Sequence, residues 1–420
     1  MQATQEIETE AQPTVSMLGG IMITAGTAVG AGMFSLPTVS AGMWFGWSVV
    51  CMLFSWFCLY QVSMMILEVN LNFKRGDSFN TMVKATLGPT WNVINGLLFA
   101  FLLYILDYAY ISGGGSIVNQ TLQSSFGFAP PQMISGMVFA LLFAFVVWLN
   151  TKAVDRVVTV LMVGMVLTFL MAVGNLTLMA DMSNLVNGGD AESGSYVPFI
   201  FAALPFYLTS FGFHCNVPSL VKYYGKQPKL IARSMLIGST LCFVIYLLWL
   251  LSTMGNLKQA DFLPVIAQGG NIGALVNAIG DVASGEKLAD VLAMFANLAI
   301  ISSFLGVSLA LFDFIADKFG FDDSAMGRLK TALIAFIPPT LGGVLFPDGF
   351  ISAIGFAGLV LAVNALIIPP LMVKKSREMF PASEFRQQGG NTMVYLMIAC
   401  GTLYAVCHIL SMLGLLPVFA

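Results

Sequence analysis

The sequence predicts an all-α, polytopic membrane protein with eleven transmembrane helices. Of its 420 residues, 58% are hydrophobic and only 9% are charged, whereas soluble proteins usually carry about 25% charged residues. Apolar runs also recur along the whole chain at about the length that a helix needs to cross a bilayer. Two of these runs are interrupted by glycine near their middle, and this third observation bears on function.

The apolar runs predict eleven spans, numbered here in chain order. They cover residues 17–38, 43–70, 91–122, 132–150, 155–179, 196–219, 230–254, 287–316, 329–346, 350–373 and 393–415. After span two, Phe79, Met82, Val83 and Leu87 follow helical spacing, which predicts a short interfacial helix.

The segment 259–285 contains Gly269-Gly270 between two apolar stretches. Its second stretch carries apolar residues that fit one helix face, namely Ile272, Leu275, Val276 and Ile279. The pattern predicts a helical hairpin over the outer mouth of the protein, with a simple surface loop as the alternative.

Basic residues predict the orientation of the chain. With the N-terminus in the cytoplasm, all of the 18 basic residues except Lys258 and Lys287 lie in cytoplasmic loops, as the positive-inside rule requires. The C-terminus is then outside. Residues 1–16 are acidic and lack the basic region of a cleavable signal peptide, so span one is expected to act as its own insertion signal.

Three glycines fall within seven residues in the middle of span one, in the stretch Gly26-Thr27-Ala28-Val29-Gly30-Ala31-Gly32. Each glycine costs about 1 kcal/mol relative to alanine in a helix interior. In lipid, loosened backbone is tolerated only where protein or a polar cavity supplies partners. The stretch therefore predicts backbone groups that face a bound solute, or close helix packing through small residues.

Span six contains a second polar, glycine-containing interruption over residues 209–216, Thr-Ser-Phe-Gly-Phe-His-Cys-Asn. Span six opens a second group of five spans and crosses in the opposite direction to span one. Interrupted helices at corresponding positions of two opposed halves indicate the midplane site of a secondary transporter. Half-helix N-termini suit a carboxylate and half-helix C-termini suit an ammonium, so a zwitterionic amino acid fits both.

Aromatic residues accompany both interruptions and suit a flat apolar side chain. They are Tyr104, Tyr108 and Tyr110 on span three and Phe206, Phe211 and Phe213 on span six. Other functions lack their signatures: we find no repeated pore motif of a channel and no GxSxG, HExxH or aspartyl pair of an enzyme.

Asp107 is the one acidic residue that the spans place near the bilayer centre. A charge at that depth is costly and usually functional, so we predict an ion- or substrate-linked role; a neutral, hydrogen-bonded carboxyl is the alternative. His214 lies in the second interruption, where an imidazole suits a proton-linked gate or a neutral hydrogen-bonding role. His408 on span eleven is interpreted as a packed or interfacial residue.

The sequence resembles the bacterial aromatic amino acid permeases, the tryptophan- and tyrosine-transporting family of the amino acid–polyamine–organocation superfamily. The matching stretches are 25–27, 30–34, 65–72, 108–112, 210–214, 216–220, 302–307 and 311–313. The resemblance runs nearly end to end and is closer to the tryptophan-permease branch than to the tyrosine-specific one.

The resemblance implies a leucine-transporter-like fold, a five-plus-five inverted repeat with helices 1 and 6 broken, plus one extra helix. The segments would be a cytoplasmic tail over 1–16, repeats over 17–180 and 196–373, and the extra helix over 393–415. It also implies import across a bacterial inner membrane, coupled to a cation that is usually a proton. Candidate substrate-binding residues are Gly26, Thr27, Ala28, Gly30, Ala31, Gly32, Tyr104, Tyr108, Tyr110, Ser210, Phe211, Gly212, Phe213 and His214.

Ala299, Ser302 and Ser303 on span eight are spaced to present one carbonyl and two hydroxyls on one side of a helix. Opposite the broken span one, this arrangement resembles the sodium site of the superfamily. Serines in membrane helices more often bond to their own backbone, so that interpretation stays open beside the first.

The chain departs from the family at two positions. Where relatives carry a buried lysine in span five, this chain has Met165, and Asp107 replaces an uncharged residue before Tyr108. Coupling through a proton on Asp107 and coupling through sodium at the span-eight residues both remain open. A small hydroxy amino acid such as serine or threonine is the alternative substrate.

The expected partners are an aromatic amino acid, a coupling cation and the lipid bilayer. We expect no cofactor, no nucleic acid, and no metal beyond a Na⁺ at the span-eight residues. The six cysteines are interpreted as small apolar residues without a disulfide or metal framework, and they are Cys51, Cys58, Cys215, Cys242, Cys400 and Cys407.

Overall fold

A computed structural model describes residues 16–149, 151–187, 196–282 and 286–419, without the side chains of 151–153, 155 and 286. The tail predicted over 1–16 therefore lies outside the described residues except for Ser16. Within the described ranges every regular element is a helix. This confirms the all-α class.

The helices follow the predicted spans closely. Span one comprises Met17–Ala28, a 3₁₀ turn Ala31–Phe34 and Ser35–Ser40; span two is Trp44–Leu71, span three Pro89–Phe126, span four Gln132–Leu149 and span five Thr151–Met179. Span six comprises a 3₁₀ turn Val197–Phe199, Ile200–Phe211, a 3₁₀ turn Phe213–Asn216 and Val217–Tyr224. Span seven is Pro228–Met254, span eight Glu286–Phe319, span nine Ala325–Leu345, span ten Phe350–Leu366 with Ile368–Met379, and span eleven Gly390–Met412. A further short helix, Met182–Asn187, follows span five.

Nine of the described helices are long and apolar enough to cross a membrane, and the two parts of span one, bent by 48°, make ten. Span nine is outside that count. It has membrane-spanning length, but Arg328, Lys330 and the Pro338-Pro339 pair lower its mean hydropathy. The chain is thus a multi-pass membrane protein.

The outer surface of the bundle is apolar. Leu97 on span three, Leu141 on span four, Val163 and Leu170 on span five and Leu341 on span nine are all more than half exposed. Contiguous apolar surface of this extent is unfavourable in water. It fits contact with lipid tails, the expected bilayer partner.

Two smaller helical elements agree with the sequence patterns. The interfacial helix is Phe79–Leu87, and Met82 and Val83 on its apolar face are fully buried. The segment after span seven forms Phe262–Ala267 and Ile272–Val282, so the two helices of the predicted hairpin are confirmed over the described residues 259–282, and their place over the outer mouth stays a prediction. Its four predicted face residues are fully buried.

The packing encloses the two interrupted spans. Span seven lies along the first part of span one, span two packs against spans six and seven, and span ten packs against spans three, six and eleven. Span eight packs against spans three and five and contacts the 3₁₀ turn of span one. The two interruptions are therefore held inside the bundle, away from lipid.

An ion pair ties the ends of spans two and ten together. The guanidinium of Arg377 donates to both carboxylate oxygens of Glu68, at 2.7 and 2.9 Å, and the backbone N–H of Gln387 donates to Glu68 Oε2 at 2.8 Å. Glu68 is 1% exposed. Three charge-assisted hydrogen bonds thus satisfy this buried carboxylate.

Candidate functional site

The interruption of span one is an extended step between two helices. The α-helix ends at Ala28, Val29 and Gly30 adopt extended conformations, and a 3₁₀ turn leads into Ser35–Ser40. Gly30 has φ −168°, a value that any residue can adopt, so the backbone conformation does not require glycine here. The requirement is for space. A Cβ there would clash with the hydroxyl of Ser303. Span eight therefore approaches the span-one backbone directly at the break.

The interruption of span six depends on a left-handed glycine. The α-helix ends at Phe211, and Gly212 has φ 40°, a region that residues with a Cβ rarely adopt. A 3₁₀ turn then leads to a helix that begins at Val217, with Pro218 in its first turn, where a missing N–H costs no helical hydrogen bond.

The fold brings the two interruptions into contact. The hydroxyl of Ser210 lies 3.2 Å from the carbonyl oxygen of Gly32, to which it can donate. The hydroxyl of Thr27 lies 3.2 Å from Asn216 Oδ1, and the amide of Asn216 donates to the carbonyl of Ile23 at 3.3 Å. Thr27, Gly32 and Ser210 of the two predicted stretches thus meet, together with Asn216, in one polar, backbone-rich cluster.

Tyr246 on span seven joins the two broken helices, and the sequence analysis did not single it out. Its hydroxyl lies 2.6 Å from the carbonyl oxygens of both Ala28 and Ser210. A phenol has one proton to donate, so the carbonyls of Ala28 and Ser210 share the Tyr246 hydroxyl as donor. The ring of Phe211 packs on Tyr246 with centroids 5.1 Å apart.

Span seven supports the whole of span one. The indole N–H of Trp249 donates to the carbonyl of Met33 at 3.0 Å, and the thiol of Cys242 lies 3.6 Å from the carbonyl of Ala25. In chain order, Gly238, Cys242, Tyr246 and Trp249 are spaced by four, four and three residues, which places all of them on one face of span seven. This spacing of polar groups inside an apolar run was the available signal for their role.

Of the span-eight candidates, Ser303 contacts the break. Its hydroxyl oxygen accepts from the backbone N–H of Ala31 at 3.0 Å. Ser302 donates to the carbonyl of Ala299 at 3.1 Å, within its own helix. Ser303 is therefore the candidate that reaches the break, whereas Ser302 makes the backbone contact that is common for serine in membrane helices.

Asp107 is fully buried and contacts a different part of span eight. Ser308 donates its hydroxyl to Asp107 Oδ1 at 2.9 Å, while Oδ2 has no partner among the described residues. Ser308 follows Ser303 by five residues, which corresponds to about 7.5 Å along the helix axis. The two candidate ion positions are therefore separate points on span eight.

The span-three tyrosines divide between two directions. Tyr104 and Tyr108 donate toward span nine. The Tyr104 hydroxyl donates to the carbonyl of Ile334, in the middle of that span, at 2.9 Å, and the Tyr108 hydroxyl donates to the carbonyl of Phe346, directly after its end, at 2.8 Å. Their hydroxyls therefore join span three to the span-nine region and do not reach the interruptions. Tyr110 is 8% exposed and lies in the interior.

The remaining predicted residues are buried around the breaks. Phe211 and Phe213 are fully buried and pack edge to face, with centroids 6.1 Å apart. His214 is 8% exposed, and its Nδ1 has no partner in the described part of the chain. Met162 on span five occupies the space that a Cβ at Gly26 would need, so span five presents methionine at this contact.

No group of three or more His, Cys, Asp or Glu side chains that could hold a metal ion occurs among the described residues. The six cysteines are free thiols. The polar groups that converge at the breaks are backbone carbonyls, backbone N–H groups and neutral hydroxyls, which suit a small zwitterion or a monovalent cation.

Comparison with known proteins agrees with the resemblance. The chain matches the tryptophan/tyrosine permease family over residues 13–408. It is 52% identical over 402 residues to a tryptophan-specific transport protein of Pseudomonas aeruginosa, covering 96% of each chain. It is 48% identical to a tryptophan-specific transport protein of Shigella flexneri, covering 98% of this chain and 99% of the relative. It is 39% identical to a tyrosine permease of Enterobacter agglomerans, covering 97% of this chain and 99% of the relative.

Proposed function

Because the chain belongs to the tryptophan/tyrosine permease family, we propose that it imports aromatic amino acids, tryptophan first and tyrosine next, by cation symport. The family is one of permeases and not a class of enzymes. The names of the relatives favour tryptophan and tyrosine over the alternative of serine or threonine.

The contact between the two interruptions carries the proposal. The Ser210 hydroxyl, which lies 3.2 Å from the Gly32 carbonyl, and the Tyr246 hydroxyl meet the ends of both broken helices at one point inside the bundle. Substrate amino and carboxylate groups would bind there by replacing contacts that the protein now makes to itself. The residues that would line this site are those of stretches 26–32 and 210–214, with Tyr110 beside them.

The proposed architecture is a five-plus-five inverted repeat, over 17–180 and 196–373, with span eleven as the extra helix. The described helices supply five spans to each range. In this proposal the N-terminus is cytoplasmic, the C-terminus is outside, and the membrane is a bacterial inner membrane. The distribution of basic residues supports that orientation.

For coupling, a proton carried by Asp107 is the first candidate. A buried carboxyl with one neutral donor and one unpartnered oxygen can exist in the protonated state without breaking an ion pair. Sodium beside Ala299, Ser302 and Ser303 is the second candidate. The position of Ser303 directly at the span-one break favours it.

Uptake into proteoliposomes tests the function. Radiolabelled tryptophan should accumulate, saturably, when a proton gradient is imposed, and other aromatic amino acids should compete while alanine competes poorly. A separately imposed sodium gradient distinguishes the two coupling candidates. Equal competition by serine or alanine would contradict the aromatic assignment.

The variant Gly30→Leu tests the site. The leucine side chain would occupy the space in which Ser303 now contacts the break. Tryptophan binding should therefore be lost, while the protein still elutes as a folded, monodisperse species. Gly174→Leu on span five is the matched control, because nothing lies within 4 Å of a Cβ there. Wild-type affinity in Gly30→Leu would contradict the proposed site.

A further inference from the structure

A cavity of about 510 Å³ lies between the second part of span one, the first part of span six, span ten and span eleven. The hairpin residues Gly269 and Gly270 border it, as does the chain end over 417–419. Its volume is within the usual range for sites that bind small organic molecules. Of the residues that the sequence analysis connected with substrate, only Phe206 lines it, and none of the candidate ion residues does.

Four phenylalanines and the ring of His408 are part of the lining of this cavity. Phe199 and Phe419 meet edge to face with centroids 6.1 Å apart, and Phe356 meets the ring of His408 in the same way at 5.3 Å. Phe206 is also part of the lining. Rings at different orientations around one space offer both faces and edges to a flat aromatic guest.

Five polar side chains line the same cavity, namely Thr38, Asp348, Ser352, His408 and Ser411. His408 is 6% exposed and Thr38 is 5% exposed, yet His408 Nε2 and Thr38 Oγ1 have no hydrogen-bond partner among the described residues. Buried polar atoms are normally paired, so two unpaired ones in one lining need an explanation. At the rim, Asp348 is exposed, and its carboxylate makes no hydrogen bond or ion pair in the described structure.

The charge of the lining is one-sided. Asp348 is its only charged residue within the described ranges, and neither lysine nor arginine lines the cavity. An ammonium group is therefore favoured at the rim, and a carboxylate group is disfavoured there.

We propose that this cavity is a second binding site, for a flat aromatic ring that carries an ammonium group. The ring packs among Phe206, Phe356 and Phe419, the ammonium pairs with Asp348, and a ring N–H or hydroxyl bonds to His408 or Thr38. The inference goes beyond the proposed function and does not require it, because it depends on the cavity alone.

Occupation of this site would affect the broken spans. Phe206 precedes Ser210 by one helical turn, and the Ser210 hydroxyl reaches Gly32. A guest in the cavity thus lies between the ends of both broken spans on one side and spans ten and eleven on the other. It should hold these elements in their present arrangement and lower the maximum rate of uptake without changing the KM for substrate.

Tryptamine is the probe, because it has an indole ring and an ammonium but no carboxylate. Binding to purified wild-type protein is measured directly by calorimetry, and inhibition of tryptophan uptake is measured with tryptamine outside the vesicles. Indole and indole-3-propionate are the comparison ligands, lacking the ammonium and carrying the opposite charge respectively. We expect tryptamine to bind at least tenfold more tightly than either, with non-competitive inhibition.

The variants Asp348→Asn and His408→Phe should each weaken tryptamine binding about tenfold or more and leave the KM for tryptophan unchanged. Asp281→Asn is the matched control, since Asp281 is an exposed hairpin carboxylate outside the cavity. Purely competitive inhibition, equal binding of indole, or tryptamine binding that is unchanged in both variants would overturn the proposal. A wild type that binds tryptamine through Asp348 but transports no aromatic amino acid would refute the proposed function and leave the second site standing.

Discussion

Two buried carboxylates in this protein have opposite surroundings. Glu68, at the junction of spans two and ten, is 1% exposed and accepts three hydrogen bonds, two of them from the guanidinium of Arg377. Asp107, midway along span three, is 0% exposed and accepts one hydrogen bond, from the neutral hydroxyl of Ser308.

The difference separates a structural charge from one that can change. An ion pair with further hydrogen bonds compensates the desolvation of a buried carboxylate, and removing one partner is strongly destabilising. A carboxyl in the bilayer interior without a cationic partner is costly when ionised and is typical of proton pathways in transporters. Glu68 therefore fits a fixed tie between spans, whereas Asp107 fits the proposed proton carrier.

The sharpest test of this contrast is Asp107→Asn. If Asp107 carries the coupling proton, gradient-driven accumulation of tryptophan should be abolished, while exchange of internal for external tryptophan stays within about twofold of wild type, because the amide cannot cycle a proton but keeps the shape of the side chain. Both are measured in proteoliposomes, with Asp281→Asn as the exposed-carboxylate control. Sodium-stimulated binding at constant pH that is kept in Asp107→Asn and lost in Ser303→Ala would assign coupling to sodium instead.

Glu68→Gln should lower stability more than it lowers transport. It leaves Arg377 without its carboxylate, and breaking a buried pair in this way costs about 3 kcal/mol, which should appear as a clear drop in the unfolding temperature of the purified protein. Uptake per folded transporter should change little. Arg377→Lys keeps the charge but not the two-pronged geometry, so its loss of stability should be smaller. Abolished transport at unchanged stability would make Glu68 functional and remove the contrast.

Tyr246→Phe should have an intermediate effect. It removes the hydroxyl that holds the Ala28 and Ser210 carbonyls next to each other. Losing that contact costs about 1–3 kcal/mol and leaves the two broken ends less well positioned, so tryptophan affinity should fall about tenfold. Tyr404→Phe is the matched control: that buried phenol bonds to Ser55 at 2.6 Å, between spans two and eleven. Equal effects of the two variants on affinity would show a general packing loss.

Ser308→Ala should have the smallest effect. It removes the one donor to Asp107, and a neutral hydrogen bond contributes about 0.5–1.5 kcal/mol, so the rate of proton-driven uptake should change about two- to tenfold while accumulation persists. Ser252→Ala, which removes a buried hydroxyl bonded to its own helix at Trp249, is the control. An effect as large as that of Asp107→Asn would mean that Ser308 itself is essential for coupling.

Hydropathy and glycine placement were sufficient for most of the fold. The start of span four at 132 and the end of span seven at 254 agree with the prediction to the residue, and both interruptions occur where the glycines are. Span three exceeds its predicted end by four residues because its last turn, up to Phe126, is polar and projects past the apolar run. Hydropathy cannot detect helix that extends beyond lipid.

The partners within the candidate site were harder to predict. Periodicity shows that Tyr104 and Tyr108 share a face of span three, but it does not show that span nine receives their hydroxyls, because every neighbouring helix is equally apolar. Tyr246 and Ser308 were missed for a related reason. A hydroxyl inside a membrane helix must find an acceptor, yet the sequence does not say whether that acceptor is on its own helix or across the bundle.

The ties between spans one and seven have a consequence for biosynthesis. Ala28 and Tyr246, joined by a 2.6 Å hydrogen bond, are 218 residues apart in the chain. At a synthesis rate of about 5–20 residues per second, roughly 10–40 s pass between the emergence of the two residues from the ribosome. During that interval the glycine-rich first helix resides in the membrane before the helix that holds its carbonyls exists. Span one can therefore reach its native shape only late in assembly, which makes the insertion of span seven the step at which the proposed site first takes form.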